Sequence, residues 1–439
     1  MPSTLDTVRL GSAVNRGRRI GFGIREADRA SHIHIIGKTG VGKSTFLEAI
    51  ARQDLADHRG FALIDPHGDL VSRVAADARL DGRVRVLNVA DPTQPFGYNP
   101  LRRVRDDKVP LAVSGLLETL KKLWPDAWGV RMEHVLRNSL YALIERDGST
   151  LLDLLRLYAD KDFRRTVTGK VRNDVVRTFW QDEFAKYPDR YRLEVVAPIQ
   201  NKLGALLAHP TMRRILVEPE IDLRLRPLMD EGGALLVNLA KGQIGEDNAA
   251  LLGGILVSTI GLAALSRADA PPEKRPPFFL HADEFQTFTT LAFANLLSEL
   301  RKYGLGLTLA HQHLHQIDPD IRHAVLGNAG TLIAFRVGPD DASYLAKEFQ
   351  PTFEVEDLLN LPNRRFYTKL MIDGAPSRPF SAETLDITAL RQALSAARTH
   401  GGEGLAEELH RGPGVRSLPT GRPPSQNPSW DRRHPGALL

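Results

Sequence analysis

The chain has 439 residues, of which 42% are hydrophobic and 25% are charged, so it has enough apolar material for a large folded core. Its formal net charge of +5 weakly favours a polyanionic partner such as nucleic acid. The absence of cysteine excludes disulfides, thiolate metal sites and thiol nucleophiles, and a reducing cytoplasm fits this composition best.

Short β-branched segments alternate with longer helical patterns along most of the chain. Residues 1–10 come first and lack the apolar core of a signal peptide, so we do not expect export by that route. The strands predicted after them are residues 33–36, 61–64, 84–89, 234–239, 278–282, 306–310, 331–335 and 366–372. This alternation predicts an α/β fold in which a mainly parallel sheet is covered by helices on both faces.

A glycine-rich loop follows the first of these strands and precedes an amphipathic helix. It contains Gly37, Lys38, Thr39, Gly40, Val41, Gly42, Lys43, Ser44 and Thr45, which match the phosphate-binding P-loop. Backbone amides of such a loop, and the helix N-terminus after it, bind phosphate oxygens. We expect Lys43 to reach the β- and γ-phosphates of ATP and the Ser44 hydroxyl to hold Mg²⁺.

The middle of the chain, residues 109–228, has apolar positions at helical spacing and few strand signals. We therefore predict an all-helical subdomain inserted between residues 1–108, an N-terminal lead with the first part of the nucleotide-binding domain, and residues 229–398, its remainder. Residues 399–439 are rich in Gly, Pro, Arg and Ser, which predicts a disordered tail.

The uncharged segment 249–265 is at the lower limit of membrane-spanning length, and we interpret it as a buried helix.

Two carboxylates follow the apolar strand predicted at residues 278–282. Asp283 is expected to bind Mg²⁺ through water, and Glu284 to polarise the attacking water as a general base. Kinases usually lack this pair and need a basic lid, so the pair favours a hydrolase. Together with the P-loop it predicts a RecA-like ATPase of the additional-strand class.

Three further residues are candidates for sensing or stabilising the γ-phosphate. Gln312 ends the predicted buried strand that follows the acidic motif after one helix, and an amide satisfied by backbone groups is the less favoured interpretation. An arginine often meets the charge that develops on the transferred phosphoryl group, either in cis or from a neighbouring subunit. Arg301 and Arg336 are the candidates for this role, and ordinary surface arginines are the alternative for both.

With these residues in place, the chain resembles the HerA-FtsK superfamily of hexameric DNA pumps, most closely its TraG/TraD-like conjugative coupling proteins and type IV secretion ATPases. The resemblance extends over residues 8–386 and rests on four segments: residues 36–45, 63–70, 283–286 and 301–312. The second is the most specific, because Asp65-Pro66-His67-Gly68-Asp69-Leu70 is not required of P-loop proteins in general. The resemblance implies an ATP-driven DNA translocase that forms a ring, with six subunits expected and the nucleotide lying between subunits.

Membrane coupling proteins of this group usually begin with transmembrane helices, and none precedes the P-loop here. We therefore expect no intrinsic membrane anchor and a cytoplasmic location, with contact to the inner membrane made through partners. DNA, a relaxase, a secretion channel or a nuclease are the partners that the resemblance implies. Three alternatives stay open: a HerA-like helicase working with a nuclease, a non-motor ATP-gated scaffold and, less favoured, a small-molecule kinase.

Overall fold

A computed structural model of the protein describes residues 6–15, 18–78 and 82–399. The strands are β1 Thr7–Asn15, β2 Arg18–Arg25, β3 Ile33–Ile36, β4 Gly60–Asp65, β5 Val84–Asn88, β6 Phe96–Gly97, β7 Ile221–Asp222, β8 Ala234–Asn238, β9 Phe278–Ala282, β10 Leu305–His311, β11 Thr331–Ala334, β12 Arg365–Lys369, β13 Met371–Ile372, β14 Ala375–Pro376 and β15 Phe380–Thr384. The predicted disordered tail lies outside the described residues except for Thr399.

The helices alternate with these strands in the first and last parts of the chain and follow one another between β6 and β7. They are α1 Glu26–Arg29, α2 Lys43–Ala56, α3 Asp69–Ala75, α4 Val109–Leu123, α5 Val130–Ile144, α6 Leu151–Ala159, α7 Lys161–Thr168, α8 Asp174–Thr178, α9 Asp189–Ala208, α10 Pro210–Leu216, α11 Leu225–Asp230, α12 Lys241–Ile244, α13 Glu246–Ser266, α14 Leu291–Leu300, α15 Pro319–Asn328, α16 Pro339–Phe349, α17 Val355–Leu359 and α18 Ile387–Thr399.

Eleven strands form one sheet in the order β2-β1-β15-β12-β11-β3-β10-β9-β4-β8-β5. From β11 to β5 every neighbouring pair is parallel, whereas β12, β15, β1 and β2 add an antiparallel edge. The central strands are buried along their whole length because helices cover both faces. Since these strands are parallel, the loops that follow β3, β9 and β10 all emerge at one edge of the sheet.

The strand bounds agree with the sequence prediction at β3 and β9, and they differ most at residues 366–372. The chain leaves the sheet at Leu370, whose backbone amide bonds the Ser377 hydroxyl and whose carbonyl accepts from the Ser377 amide. Asp373 and Gly374 both have positive φ, the geometry of a tight hairpin turn. The single predicted strand is therefore wrong: it divides into β12, which stays in the sheet, and β13, which pairs with β14.

Helix α13 contains the uncharged segment noted in the sequence. By length and composition Glu246–Asp269 could cross a membrane, but 83% of its most apolar 18-residue stretch is buried inside the protein. Its glycines allow close packing: a Cβ on Gly253 would lie 2.8 Å from the Phe288 ring, and one on Gly254 would lie 2.8 Å from Thr119 of α4. The prediction of a buried helix is therefore confirmed. Helix α13 packs both against α4, in the helical segment of residues 109–228, and against Phe288 in the loop after β9.

Candidate active site

The P-loop turns between β3 and α2 at the shared carboxyl edge of the sheet. Gly42 has a φ of 120°, a conformation that L side chains rarely adopt, and it lets the chain enter α2 at Lys43. The Lys43 ammonium donates to the carbonyl oxygens of Gly37, at 2.6 Å, and Lys38, at 3.0 Å, so it lies across the loop. Burial lowers the pKa of Lys43, while the carboxylates of Glu284 and Asp283 act in the opposite direction.

The acidic pair lies directly opposite the P-loop. The Ser44 hydroxyl donates to Asp283 Oδ2 at 2.8 Å, which joins the loop to the end of β9. Burial raises the pKa of Asp283 to about 6, and the nearby Glu284 and Asp65 carboxylates add to the rise, while the Ser44 hydrogen bond opposes it. A hydroxyl and a carboxylate oxygen in contact are the hard oxygen ligands that Mg²⁺ prefers, so these residues could hold that ion.

Glu284 is held by amide groups on both of its carboxylate oxygens. Gln312 donates to Oε1 at 2.6 Å and Gln286 donates to Oε2 at 2.7 Å. Gln312 also accepts from the Thr39 hydroxyl at 2.8 Å, so the amide connects the P-loop to the candidate base. The Glu284 backbone is left-handed, with φ 48° and ψ 46°, a strained conformation for a residue other than glycine and one that is frequent at functional sites.

Asp65, in the segment of residues 63–70, has a structural role in this fold. Its carboxylate accepts hydrogen bonds from the backbone amides of His67, Leu70 and Val71 at 2.8 to 3.1 Å, and thereby caps the start of α3. This cap fixes the turn that brings His67 to the edge of the nucleotide cavity. His67 is thus a site residue that the motif contains, although no role for it was predicted.

A cavity of about 450 Å³ lies between these groups and is of the size that small-molecule ligands occupy. It is lined by Thr39, Gly40, Gly42, Lys43, Ser44, Thr45, His67, Asp283, Glu284, Gln312, Asn363 and Arg364. The fold therefore brings together the predicted P-loop, acidic and glutamine residues. A second cavity, of about 440 Å³, lies between α4, α11 and α13, and none of the predicted site residues lines it.

The predicted arginines are placed differently from each other. The Arg336 carbonyl accepts from the Lys38 amide at 2.9 Å, and its guanidinium donates to the Leu361 carbonyl and to the side chain of Asn363, which lines the cavity. Arg301 precedes β10, which runs parallel to β3, so it lies at the opposite edge of the sheet, roughly 20 Å from the P-loop. Arg301 therefore lies away from the cavity of its own chain, and its action at the site of a neighbouring subunit stays a prediction.

Arg364 is the arginine that sequence reasoning missed. It has a positive φ of 68°, and its backbone amide donates to the Val41 carbonyl at 2.8 Å. A Cβ on Gly42 would lie 3.5 Å from the Arg364 Cα, so this residue packs directly on the P-loop. The polar residues before β12 were a signal for a loop, but which loop covers the P-loop depends on strand pairings hundreds of residues apart.

Comparison with known proteins agrees with this geometry. A family model described as the central domain of helicase HerA matches residues 8–136. The probable DNA double-strand break repair helicase HerA of Methanocaldococcus jannaschii is 23% identical over 360 residues, covering 75% of this chain and 67% of the relative.

Solved structures also share the fold. The bacterial conjugative coupling protein TrwB, without its first 70 residues, matches with a TM-score of 0.60 at 16% identity, covering 85% of this chain and 88% of TrwB. VirB4 of Thermoanaerobacter pseudethanolicus matches with a TM-score of 0.59 at 15% identity, covering 88% of this chain and 98% of VirB4. TrwB has also been solved with the ATP analogue ADPNP and with ADP and Mg²⁺. These matches confirm the predicted RecA-like α/β fold.

Proposed function

We propose that this chain is a P-loop ATPase of the HerA-FtsK superfamily that hydrolyses ATP with Mg²⁺ and couples hydrolysis to the movement of DNA. The observation that carries the proposal is the meeting of Lys43, Ser44, Asp283, Glu284 and Gln312 around one cavity, in which Ser44 bonds Asp283 and Gln312 bonds Glu284. Nucleotide-bound structures of TrwB, with ADPNP and with ADP and Mg²⁺, support the choice of cofactors.

Each group has a distinct task in this proposal. Lys43 leaves the Gly37 and Lys38 carbonyls to bind the β- and γ-phosphates, while the P-loop amides hold the triphosphate in place. Ser44 and Asp283 would hold Mg²⁺, which supplies positive charge to the phosphate oxygens when it is bound. Glu284 orients and deprotonates the attacking water, and Gln312 connects its carboxylate to Thr39 at the P-loop.

We further propose that the chain acts as a ring, with six subunits expected, in a DNA pump of the conjugative or type IV secretion type. The position of Arg301 at the far edge of the sheet supports this assembly, because an arginine placed there is too far from the nucleotide site of its own chain to act in it. The structural matches to TrwB and VirB4 support the pump over a kinase. The proposed location is the cytoplasm, with a relaxase or secretion channel as the partner at the membrane.

A HerA-like helicase that works with a nuclease in DNA-end processing is the second candidate. Two observations favour it: the match of residues 8–136 to the HerA central domain, and the similarity to the M. jannaschii helicase over 360 residues. Both candidates share the nucleotide chemistry and the ring, and they differ in the partner protein.

The test is ATP hydrolysis by the purified protein with and without single- and double-stranded DNA, together with native mass. We expect DNA-stimulated turnover, a ring in the presence of nucleotide, and loss of turnover in Lys43→Ala. Glu284→Gln should bind ATP but lose both turnover and DNA movement, whereas Lys202→Ala, on the exposed surface of α9, is the matched control and should retain turnover. If Glu284→Gln lost ATP turnover but still performed the protein's role in the cell, that result would instead support a nucleotide-gated scaffold.

A further inference from the structure

The loop that follows the candidate base is anchored by a lysine from the helical segment. Lys122, in the last turn of α4, donates from Nζ to the carbonyl oxygens of Gln286 at 2.7 Å and Thr289 at 2.8 Å. One ammonium group therefore bridges both ends of the short helical turn at residues 285–289. Although Lys122 itself is exposed, its ammonium group donates to this loop, and the Asp318 carboxylate acts on its charge as well.

The same loop holds the candidate base through Gln286. The side-chain amide of Gln286 donates to Glu284 Oε2 at 2.7 Å, and its own Oε1 is buried without a hydrogen-bond partner in the described part of the chain. A carboxylate can only accept, so Gln286 must present its NH₂ group and leave the oxygen unpaired. An unpaired buried acceptor is unfavourable for folding, which indicates that this amide serves the position of Glu284 rather than stability.

The loop is packed tightly enough to transmit a shift of α4. Phe285 and Phe288 are fully buried, and the Phe288 ring lies against Gly253 of α13. Backbone bonds within the loop, from Thr287 to Glu284 and from Thr289 to Phe285, make it a single turn that moves as a unit. The turn is therefore connected to α4 through Lys122 and to the side chain of the base through Gln286.

We propose that Lys122 and Gln286 are positioning residues for Glu284, and that through them the placement of α4 sets the rate of ATP hydrolysis. This inference rests on the proposed function, since it concerns the same site. The helical segment would thus regulate hydrolysis: a ligand or subunit that displaces the end of α4 withdraws the Lys122 ammonium, loosens the turn and misorients the Glu284 carboxylate.

Steady-state ATPase kinetics test the proposal. Gln286→Ala should lower kcat about tenfold with KM for ATP changed less than about twofold, the order expected for losing a hydrogen bond to an ionised group. Lys122→Met should lower kcat at least roughly threefold, and Lys122→Arg should restore it because a guanidinium can reach both carbonyls. The matched control is Lys121→Met, which removes the neighbouring charge that acts on Glu133 of α5 and should leave kcat unchanged.

The double variant distinguishes a relay from two unrelated defects. If Lys122 acts through Gln286, then Lys122→Met combined with Gln286→Ala should have the kcat of Gln286→Ala alone, within about twofold. Multiplied defects, or a rise in KM as large as the fall in kcat, would overturn the proposal. Wild-type turnover and its loss in Lys43→Ala are measured alongside, so failure of the proposed function is recognised separately.

Hydrogen exchange gives a second readout that needs no nucleotide. Amides of residues 284–291 should exchange faster in Lys122→Met than in the wild type, because the turn loses its anchor. The Lys121→Met control should exchange at the wild-type rate. Unchanged exchange in Lys122→Met, in a protein that melts at the wild-type temperature, would show that the lysine does not hold this loop.

Discussion

The Ser44 hydroxyl donates a hydrogen bond to the carboxylate of Asp283 at 2.8 Å, and this bond closes the site across the edge of the sheet. It joins the first turn of α2, the helix that follows β3, to the end of β9. In the sheet, β10 lies between β3 and β9. Asp283 is buried, and desolvation disfavours its charged form more than the Ser44 hydrogen bond and the nearby Lys43 ammonium favour it. Mg²⁺ binding at Asp283, the protonation of its carboxylate and the stability of the fold therefore depend on one another.

The first prediction follows from the raised pKa of Asp283, about 6 against about 3.9 for an unfolded aspartate. A raised pKa means that the folded protein holds the proton more tightly. Stability is therefore lost as the pH rises from about 4 through 6, by up to about 3 kcal/mol. In Mg²⁺-free buffer at pH 7.5, Asp283→Asn should melt at a higher temperature than the wild type, and the difference should shrink at pH 5.

Thermal melting with and without Mg²⁺ checks this expectation. Excess Mg²⁺ with nucleotide should raise the Tm of the wild type more than that of Asp283→Asn, because the variant has lost the charged metal ligand. Asp126→Asn, at an exposed position between α4 and α5, serves as the control and should change neither value. A lower Tm for Asp283→Asn at pH 7.5 without the metal would contradict the assignment of a destabilised carboxylate.

The second prediction uses the positions of Arg301 and Arg364. Arg301 lies at the far edge of its own sheet, whereas Arg364 lines the cavity of its own chain. Mixing Arg301→Ala subunits with Glu284→Gln subunits should restore part of the ATPase activity, because some interfaces then pair an intact base with an intact arginine. Mixing Arg364→Ala with Glu284→Gln should restore none, since both groups belong to one subunit's cavity. The measurement is turnover of co-assembled mixtures, and absence of rescue in the first mixture would exclude Arg301 as the arginine acting between subunits.

Much of this site could be predicted from sequence because its parts are local. The P-loop is one continuous segment, and Asp283 and Glu284 follow an apolar strand whose bounds were predicted correctly. Their convergence follows from the parallel order of β3, β10 and β9, which the alternation of strands and helices already implied.

The parts that sequence did not reveal depend on pairings between distant segments. β15 joins the sheet by pairing with β1, so its register is set by residues near the other end of the chain. Lys122 reaches Gln286 across 164 positions, and no pattern around either residue indicates the contact. Arg301 was predicted as a candidate, but the sheet edge on which it lies became clear only from the strand order.

The third prediction concerns a buried ion pair at the end of α2. Arg29 donates to both carboxylate oxygens of Asp54, at 2.7 and 2.6 Å, and His281 of β9 lies 2.9 Å from the same carboxylate. Burial alone would raise the pKa of Asp54, but Arg29 and His281 hold it well below its usual value. The pair therefore stabilises the fold above about pH 4, and this contribution is lost as the pH falls toward the lowered pKa.

Asp54→Asn should destabilise the protein by about 3 kcal/mol or more at pH 7, because it leaves the Arg29 charge buried and unpaired. The check is denaturant unfolding of both proteins at pH 7. Asp162→Asn, whose side chain is 91% exposed and 3.9 Å from Arg165, should have little effect. Similar unfolding midpoints for Asp54→Asn and the wild type would show that the network is not needed for stability.

The fourth prediction separates two reasons for the glycine in the Asp65 to Leu70 segment. Gly68 has a φ of 93°, and a Cβ at this position would lie 2.1 Å from the Asn238 side-chain oxygen. Gly82 has a similar φ of 83° but nothing within 4 Å of the added carbon. Gly82→Ala should therefore cost only the backbone strain, about 1 kcal/mol, whereas Gly68→Ala adds an overlap worth about 1 to 3 kcal/mol more.

The overlap should also disturb the nucleotide site. The Asn238 side chain accepts a hydrogen bond from the Ala240 amide and cannot move freely, so the turn that bears His67 must shift instead. We expect Gly68→Ala to unfold at lower denaturant concentration than Gly82→Ala and to lose ATPase activity, while Gly82→Ala keeps it. Denaturant midpoints and kcat of the two variants, measured side by side, provide the comparison. Equal loss of stability in both would mean that φ alone, and not contact with Asn238, requires glycine at position 68.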